Sequence, residues 1–343
     1  MACTFEFEMN NRTVTFETGK VARQANGAVM LRSGKTVILA TAVMDDKPIE
    51  EHFLPLTVQY IEKSYAAGKI PGGFVKRETK PGDFETLTSR LIDRSLRPLF
   101  PKGFFNPVQI TVMLLSVDED ADLQSLALDA ASAALYLSDI PVNRCVAGVR
   151  IGRRDGAFVL NPGLEALEEG TLDLFVSGTK EELLMIEMRA IGTVEVEIEP
   201  SVAVDPMMDP MLADEIVQIP HVNELKEEEL VEAIELAQKA ITLAAGEYEK
   251  TFAEAAKPKK EVPLFEEKAD PSIVTYVEEF YGDAIDRALD GMAKSERGGE
   301  LKAIVGQVLQ DETAQSEGWD EAAVKAAVDE AKRRHVRAMI LEE

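Results

Sequence analysis

Two periodicities divide this chain. Up to about residue 190, apolar residues recur mainly at every second position in short runs, the signature of half-buried strands. Thr4–Met9 and Arg12–Thr18 alternate around Asn10-Asn11, the composition of a tight hairpin turn. Ala28–Arg32, Thr36–Met44 and Leu54–Ile61 read as further strands. A helix is predicted over Asp83–Leu96, with Asp83 as its N-cap ahead of apolar Phe84, Leu87 and Leu91. Val108–Val117 is a continuous apolar run, as in a strand buried on both faces. The Ala/Leu-rich segment Asp122–Leu137 is helical. Cys145–Ile151 and Ala157–Leu160 flank the turn Arg153-Arg154-Asp155-Gly156, and Leu172–Ser177 and Leu183–Met188 complete the strands. Residues 1–200 thus predict an α+β, βαβ-containing domain.

The pattern then changes. Residues 201–224, rich in Pro and Met, read as a weakly ordered connector, and residues 225–343 as a small all-helical domain. Glu227–Ala256 keeps Leu230, Ala233, Ile234, Ala237, Ile241 and Ala244 on one face. Lys257–Pro271 is a charged, Pro-bearing loop. Helical stretches follow over Ser272–Met292, Gly299–Asp311 and Asp320–Leu341. Ile340-Leu341-Glu342-Glu343 carries no cap or turn signal, so the natural protein is expected to continue past it.

Charge changes this picture. The formal total is −25 over 343 residues. Residues 1–160 hold 19 basic and 19 acidic residues, so the whole excess lies beyond them. Against that background, residues 61–105 carry nine Lys/Arg and five Asp/Glu. A polyanion is repelled by the second half and drawn to the first. Within the basic stretch, a Gly-flanked loop presents Phe74, Lys76 and Arg77. Arg90, Arg94 and Arg97 follow at i, i+4 and i+7 on one face of the predicted helix. An aromatic-basic loop beside an arginine stripe suits single-stranded nucleic acid, whose bases stack and whose phosphates need cations. Surface ion pairs with Asp83, Glu85 and Asp93 are the competing account of the stripe.

Other chemistries find little support. Asp118, Glu119, Asp120 and Asp122 resemble the start of a calcium loop but lack its sixth-position Gly and twelfth-position Glu, so helix capping is expected. His52, His221 and His335 lie far apart, and there is no P-loop or GxGxxG fingerprint. The basic run Arg333-Arg334-His335-Val336-Arg337 is expected to complement its helix's C-terminal dipole. Cys3 and Cys145 have no metal-ligand spacing, which suits a reducing compartment. With no signal-peptide pattern and no apolar stretch long enough to span a bilayer, a cytoplasmic protein without membrane association is expected.

The segment FVKRE…PGDFETLTSRLIDRSLRPLFPKGF closely resembles the first ribonuclease-PH-like domain of the bacterial polynucleotide phosphorylase family. The resemblance continues through Asp129–Pro141, Gly148–Pro162 and Leu172–Thr179. It weakens between about 190 and 225 and then passes into that family's all-helical linker domain. It implies a ribonuclease-PH-like fold (ribosomal protein S5 domain 2-like) followed by a small all-α domain, truncated before a second ribonuclease-PH-like domain. The implied activity is 3′-to-5′ phosphorolysis of RNA to nucleoside diphosphates by a homotrimer, with inorganic phosphate as co-substrate, Mg2+ assisting and RNA-degradation partners. The catalytic and metal site is expected outside this chain. This portion would supply channel wall, RNA guidance and trimer contacts, and would be inactive alone.

The resemblance puts Phe74, Lys76 and Arg77 on the family's constriction loop and Arg90 and Arg94 on its RNA- or phosphate-contacting arginines, with Arg97 completing the RNA-binding set. Departures are Val75 for a second aromatic, Lys76 for the usual Arg and Ser95 for a proline. Where active members carry a Ser-rich phosphate loop, this chain has Ala121-Asp122-Leu123-Gln124. Asp173 stands at an acidic position of the active domain, but the companion position is Leu167, so Asp173 is expected to serve the strand rather than a metal. The alternative functions are a non-catalytic RNA-binding ring scaffold, or a protein-docking module formed by the acidic helical half.

Overall fold

The computed structural model describes residues 2–49, 53–78, 80–190, 192–196, 217–221, 225–265, 269–290 and 294–342. Two compact units divide the chain, residues 1–264 and 265–343.

The first unit begins as the alternation predicts. β1 (Cys3–Met9) and β2 (Arg12–Thr18) pair antiparallel across Asn10-Asn11. Both asparagines take the left-handed conformation, φ 53° and 59°, which a two-residue turn between right-twisted strands requires. β3 (Gly27–Ser33), β4 (Thr36–Met44), β5 (Leu56–Ile61) and β6 (Val108–Ser116) complete a six-stranded sheet of order β1-β2-β3-β4-β6-β5. Among the described residues only β5 and β6 run parallel, joined by the crossover helix α1 (Asp83–Leu96). A second, antiparallel sheet has the order β10-β9-β7-β8, from β7 (Ala147–Arg154), β8 (Ala157–Leu160), β9 (Leu172–Gly178) and β10 (Leu183–Ala190). A short helix, α3 (Leu164–Glu168), links β8 to β9.

β6 departs from its expected burial on both faces. Val108, Ile110, Val112 and Leu114 are buried, whereas Gln109 is exposed and Thr111 and Met113 are half-buried. Only one face of the sheet is covered at this strand, and its apolar run conceals an ordinary alternation.

The covering element is α2 (Leu123–Leu137), with twelve of its fifteen residues buried. It packs against β3, β4 and β6 on one side and β7 on the other. A helix apolar all round must be enclosed all round. Its alanines let the neighbours come close, and glycines complete the fit. A Cβ on Gly27 would lie 2.0 Å from the Ala134 carbonyl oxygen, and one on Gly148 3.1 Å from Leu128. Asp129 is the buried charge on this helix. Its carboxylate accepts from Arg12 at 2.6 Å, from the Gly148 N–H at 3.0 Å and from the Tyr248 hydroxyl at 3.1 Å. Burial pushes this carboxyl up to about 6, while Arg12, the Gly148 amide and Tyr248 pull it down.

The domain boundary moves from where composition places it. α4 (Glu227–Phe252) is helical as predicted, but its apolar face is filled by the first unit. Ala233, Ala237 and Ile241 pack on Val149, Ile151 and Leu174 of the second sheet. Tyr248 and Phe252 enter an aromatic cluster with Phe5, Phe7 and Phe16, ring centroids 4.9–5.7 Å apart. The following segment straps the same unit: Lys257 donates to the Asn26 carbonyl at 2.6 Å, and Lys259 to those of Tyr136 and Ser138 at 2.6 and 2.8 Å. Of the expected connector, residues 201–216 and 222–224 lie outside the described residues. Val217–His221 is a strand, β12, paired antiparallel with β11 (Gly192–Val196).

The second unit contains α5 (Pro271–Asp290), α6 (Lys294–Gln310), α7 (Glu312–Glu317) and α8 (Glu321–Glu342). Ile273, Val277, Ile285, Val308, Val324 and Val328 form its core. The short α7 is absent from the sequence reading; Asp311 precedes it and accepts from Tyr276 and Tyr281 at 3.0 and 2.6 Å. Among the described residues, no helix is long and apolar enough to cross a membrane.

Two substitutions test this packing by urea unfolding. Gly27→Ala forces a methyl into the α2 backbone and is expected to cost at least about 1–3 kcal/mol. Asp129→Ala leaves Arg12 buried without its counter-charge, with an expected loss of about 3–5 kcal/mol. Midpoints unchanged from the parent chain would contradict the account of α2.

Candidate nucleic-acid interface

The loop ahead of α1 is fixed at its base and free at its tip. Ser64–Ala67 forms a 3-10 turn, closed by Gly68 N–H and Lys69 N–H on the Tyr65 and Ser64 carbonyls, both at 2.9 Å. The returning strand of the loop is held by carboxylates. Glu78 accepts from the Ser64 N–H at 2.8 Å, a bond that holds its own carboxyl below the usual range. Glu85 accepts from both the Glu62 and Gly82 N–H groups at 2.8 Å. Between these ties the chain turns through left-handed positions at Gly73, φ 73°, and Lys76, φ 54°. Left-handed backbone is unusual for a lysine and marks local strain at the tip. Phe74 is wholly exposed, and Val75 is 68% exposed. Lys76 and Arg77 are exposed and make no hydrogen bond or ion pair with any described residue.

α1 begins one residue earlier in its cap than predicted. Gly82, not Asp83, is the N-cap, and Glu85 at the third helical position reaches back to the Gly82 N–H. Asp83 is the exposed first helical residue, where its charge complements the helix dipole. Leu91, Ile92 and Leu96 are buried against the unit, so the opposite face projects Leu87, Arg90 and Arg94 into solvent. Arg90 and Arg94 have no hydrogen-bond or ion-pair partner among the described residues.

Arg97 differs from its two neighbours. Its guanidinium donates to Asp93 at 3.1 and 2.7 Å and to the Leu54 and Leu56 carbonyls at 3.0 and 3.3 Å. Four of its five N–H groups are thereby engaged. The ion-pair account of the stripe therefore holds for Arg97 and not for Arg90 or Arg94. Ser95, where the family pattern has proline, is also structural. Its buried hydroxyl lies 2.7 Å from that of Ser177 on β9 and donates to the Leu91 carbonyl at 2.9 Å.

The carboxylates Asp122 and Asp173 are bridged by a guanidinium. Asp122 caps α2 through the Ser125 N–H at 3.5 Å, as the acidic knot predicts. Arg150 on β7 donates to Asp173 at 2.6 and 2.9 Å, to Asp122 at 3.0 Å and to Gln124 at 3.1 Å. These groups are mostly buried, with 14% of the Arg150 side chain exposed and 7% and 17% of Asp122 and Asp173. The carboxylates hold the Arg150 guanidinium charged against the cost of burial. Arg150 thus joins two strands and a helix N-terminus, and Asp173 serves this strand-to-strand tie. The donor set does not fit a divalent cation or a phosphate: the cation position between the carboxylates holds Arg150, and Asp122 repels an anion. Among the described residues, no group of three or more His, Cys, Asp or Glu is placed to hold a metal.

Of the histidines, His52 lies outside the described residues and His335 pairs with Asp286 at 2.8 Å. Sequence reasoning missed Arg150, Glu78 and Ser89. Arg150 interrupts an apolar strand, and that interruption was the available signal. Glu78 and Ser89 bond backbone amides brought near only by the fold, and nothing in the sequence marks them.

Comparison with known proteins gives three family-model matches: "3' exoribonuclease family, domain 1" over residues 10–141, "3' exoribonuclease family, domain 2" over 145–198 and "Polyribonucleotide nucleotidyltransferase, RNA binding domain" over 272–343. The chain is 56% identical, over its whole length, to 47% of a polyribonucleotide nucleotidyltransferase of a Nitratiruptor species. It is 54% identical, over 99% of its length, to 46% of one from Campylobacter curvus. The chain thus spans about half the length of the curated relatives it matches. Its fold resembles that of rice (Oryza sativa) Rrp46, with a TM-score of 0.50 at 15% identity, covering 72% of this chain and 98% of the other.

The exposed tip predicts the first tryptic cuts within the first unit. Limited digestion followed by mass spectrometry should find them after Lys69, Lys76 or Arg77, and first cuts elsewhere in residues 1–264 would contradict this description of the loop.

Proposed function

The chain belongs to the polyribonucleotide nucleotidyltransferase family, and from that premise we propose that it is the RNA-guiding portion of a 3′-to-5′ phosphorolytic exoribonuclease. The carrying observation is the exposed set Phe74, Lys76, Arg77, Arg90 and Arg94, whose four cations have no hydrogen-bond or ion-pair partner among the described residues, on a scaffold whose other arginines are largely ion-paired. Phe74 offers a ring on which a base stacks, and the four cations neutralise backbone phosphates. Lys76 holds a phosphate as a point charge where an arginine would fork onto it, so the grip is tolerant of strand geometry. One aromatic platform in place of two further favours loose, sequence-independent contact with a sliding strand.

The same reading assigns channel wall and trimer contacts to this portion and bond cleavage to another. Inorganic phosphate is the co-substrate of the whole enzyme and Mg2+ its metal, and both belong to a site beyond these residues. Arg150 fills the place where either would sit in this domain, so the chain by itself is inactive. RNA-degradation partners and a cytoplasmic location accompany this role.

Two measurements test it. Fluorescence anisotropy with labelled oligo(A) across salt concentrations compares the chain with a Lys76/Arg77/Arg90/Arg94 alanine variant. The parent's log affinity should fall with log salt, and the variant should bind more weakly with a slope flatter by about 0.7 per lost contact, roughly 2.8 for four. An unchanged slope would remove these residues from the interface. In the second, radiolabelled oligo(A) is incubated with the chain, phosphate and Mg2+. No ADP release is expected, and clear release would overturn the assignment of an inactive portion.

A further inference from the structure

Among the described residues, β5 lies at the edge of the first sheet and pairs with β6 alone. In a parallel ladder alternate residues bond the neighbour. The Pro55 carbonyl accepts from the Val108 N–H at 3.0 Å, so the backbone groups of Leu56, Val58 and Tyr60 face the open side. An unprotected edge of this kind recruits other strands. Here a ridge of α1 covers it. Glu85 accepts from the Glu62 N–H at 2.8 Å and Ser89 from the Tyr60 N–H at 2.9 Å, and Arg97 donates to the Leu56 and Leu54 carbonyls. Asp93, the remaining member of the ridge, holds Arg97.

The spacing explains why this works. The ridge advances four helical residues at a time, about 6.0 Å. The open groups of the strand recur every two residues, about 6.6 Å. Helix and strand run in opposite directions, so Glu85, Ser89 and Arg97 meet Glu62, Tyr60 and Leu56 in turn. Arg90 and Arg94 each stand one residue beyond a ridge member, on the exposed flank. A one-residue slip of α1 along the edge would move them by about 1.5 Å and 100°.

We propose that Arg97 is a positioning residue: it locks the register of α1 on the β5 edge and so sets where Arg90 and Arg94 meet the polyanion, without touching it. This rests on the RNA-guiding reading above and refines that site. The fork is essential to the lock: Arg97 makes four bonds from three nitrogens spread across the guanidinium, whereas a lysine ammonium offers three N–H groups from a single nitrogen.

The test uses the full chain, labelled oligo(A) anisotropy across salt and amide hydrogen exchange. Arg97→Ala and Arg97→Lys should both weaken binding, by about fivefold or more at every salt concentration, with the slope unchanged, and should speed exchange across Leu56–Ile61 and α1. A slope flatter by about 0.7 would make Arg97 a phosphate contact and overturn the proposal. Faster exchange with unchanged affinity would make it merely structural and overturn it equally. Asp93→Ala is the second variant, should the first two fold poorly. Loss of its tie predicts weaker binding, whereas a directly contacting Arg97, freed of a carboxylate, would bind oligo(A) at least as tightly. If the parent chain shows no salt-dependent binding, the RNA reading fails instead. Exchange alone then decides the lock: faster in the variants supports it, and unchanged overturns it.

Discussion

A helix with no polar face has one way to exist in water, which is to be enclosed. α2 imposes that condition on the first unit, and most of the unit's architecture answers it. One sheet lies against each side, and glycines at positions 27 and 148 stand where a side chain would push a sheet away. The single charge on the helix, Asp129, is met by a guanidinium, an amide and a phenol drawn from three other elements. One of those elements is α4, whose Tyr248 completes both this network and the aromatic cluster of the hairpin. Enclosure of α2 therefore explains why a helix far along the chain is part of the first unit.

Guanidinium chemistry then separates structural sites from exposed ones. Arg12, Arg97 and Arg150 each make several bonds to carboxylate and carbonyl oxygens, joining elements distant in sequence. Arg90 and Arg94, on the same helix as Asp93, have no such partners among the described residues. A free cation on a rigid helix is an available charge, and an engaged one is part of the frame. The contrast is sharpest between Arg94 and Arg97, three positions apart. Arg150 is the strongest case of engagement: it occupies the space between Asp122 and Asp173 and bonds both.

The loop at the rim combines order and exposure. Carboxylates at Glu78 and Glu85 tie its base to backbone amides, so the tip extends from a defined origin, its Lys76 and Arg77 without hydrogen bonds or ion pairs among the described residues. An exposed aromatic ring gains nothing from water and everything from a stacked base. That physical asymmetry supports recognition of a single strand.

Local pattern was enough for much of this. The bounds of α1, the two Asn and Asp-Gly turns, the strand alternation and the position of the cationic stretch follow from residue types within a few positions of one another. So does the identity of Phe74, Lys76, Arg77, Arg90 and Arg94 as candidates, because exposure of a loop and one face of an amphipathic helix is written in its periodicity. What the sequence could not decide is which arginine meets which oxygen. Arg97 reads as the third member of a stripe, and only the approach of the β5 edge makes it a lock. Asp173 reads as a lone acid, and only the neighbouring strand brings Arg150 to it. The apolar face of α4 reads the same whether it packs on helices or on sheets, since burial is indifferent to the identity of the partner. Short-range chemistry is local to the chain, whereas pairing between distant segments depends on the geometry that the packed core imposes.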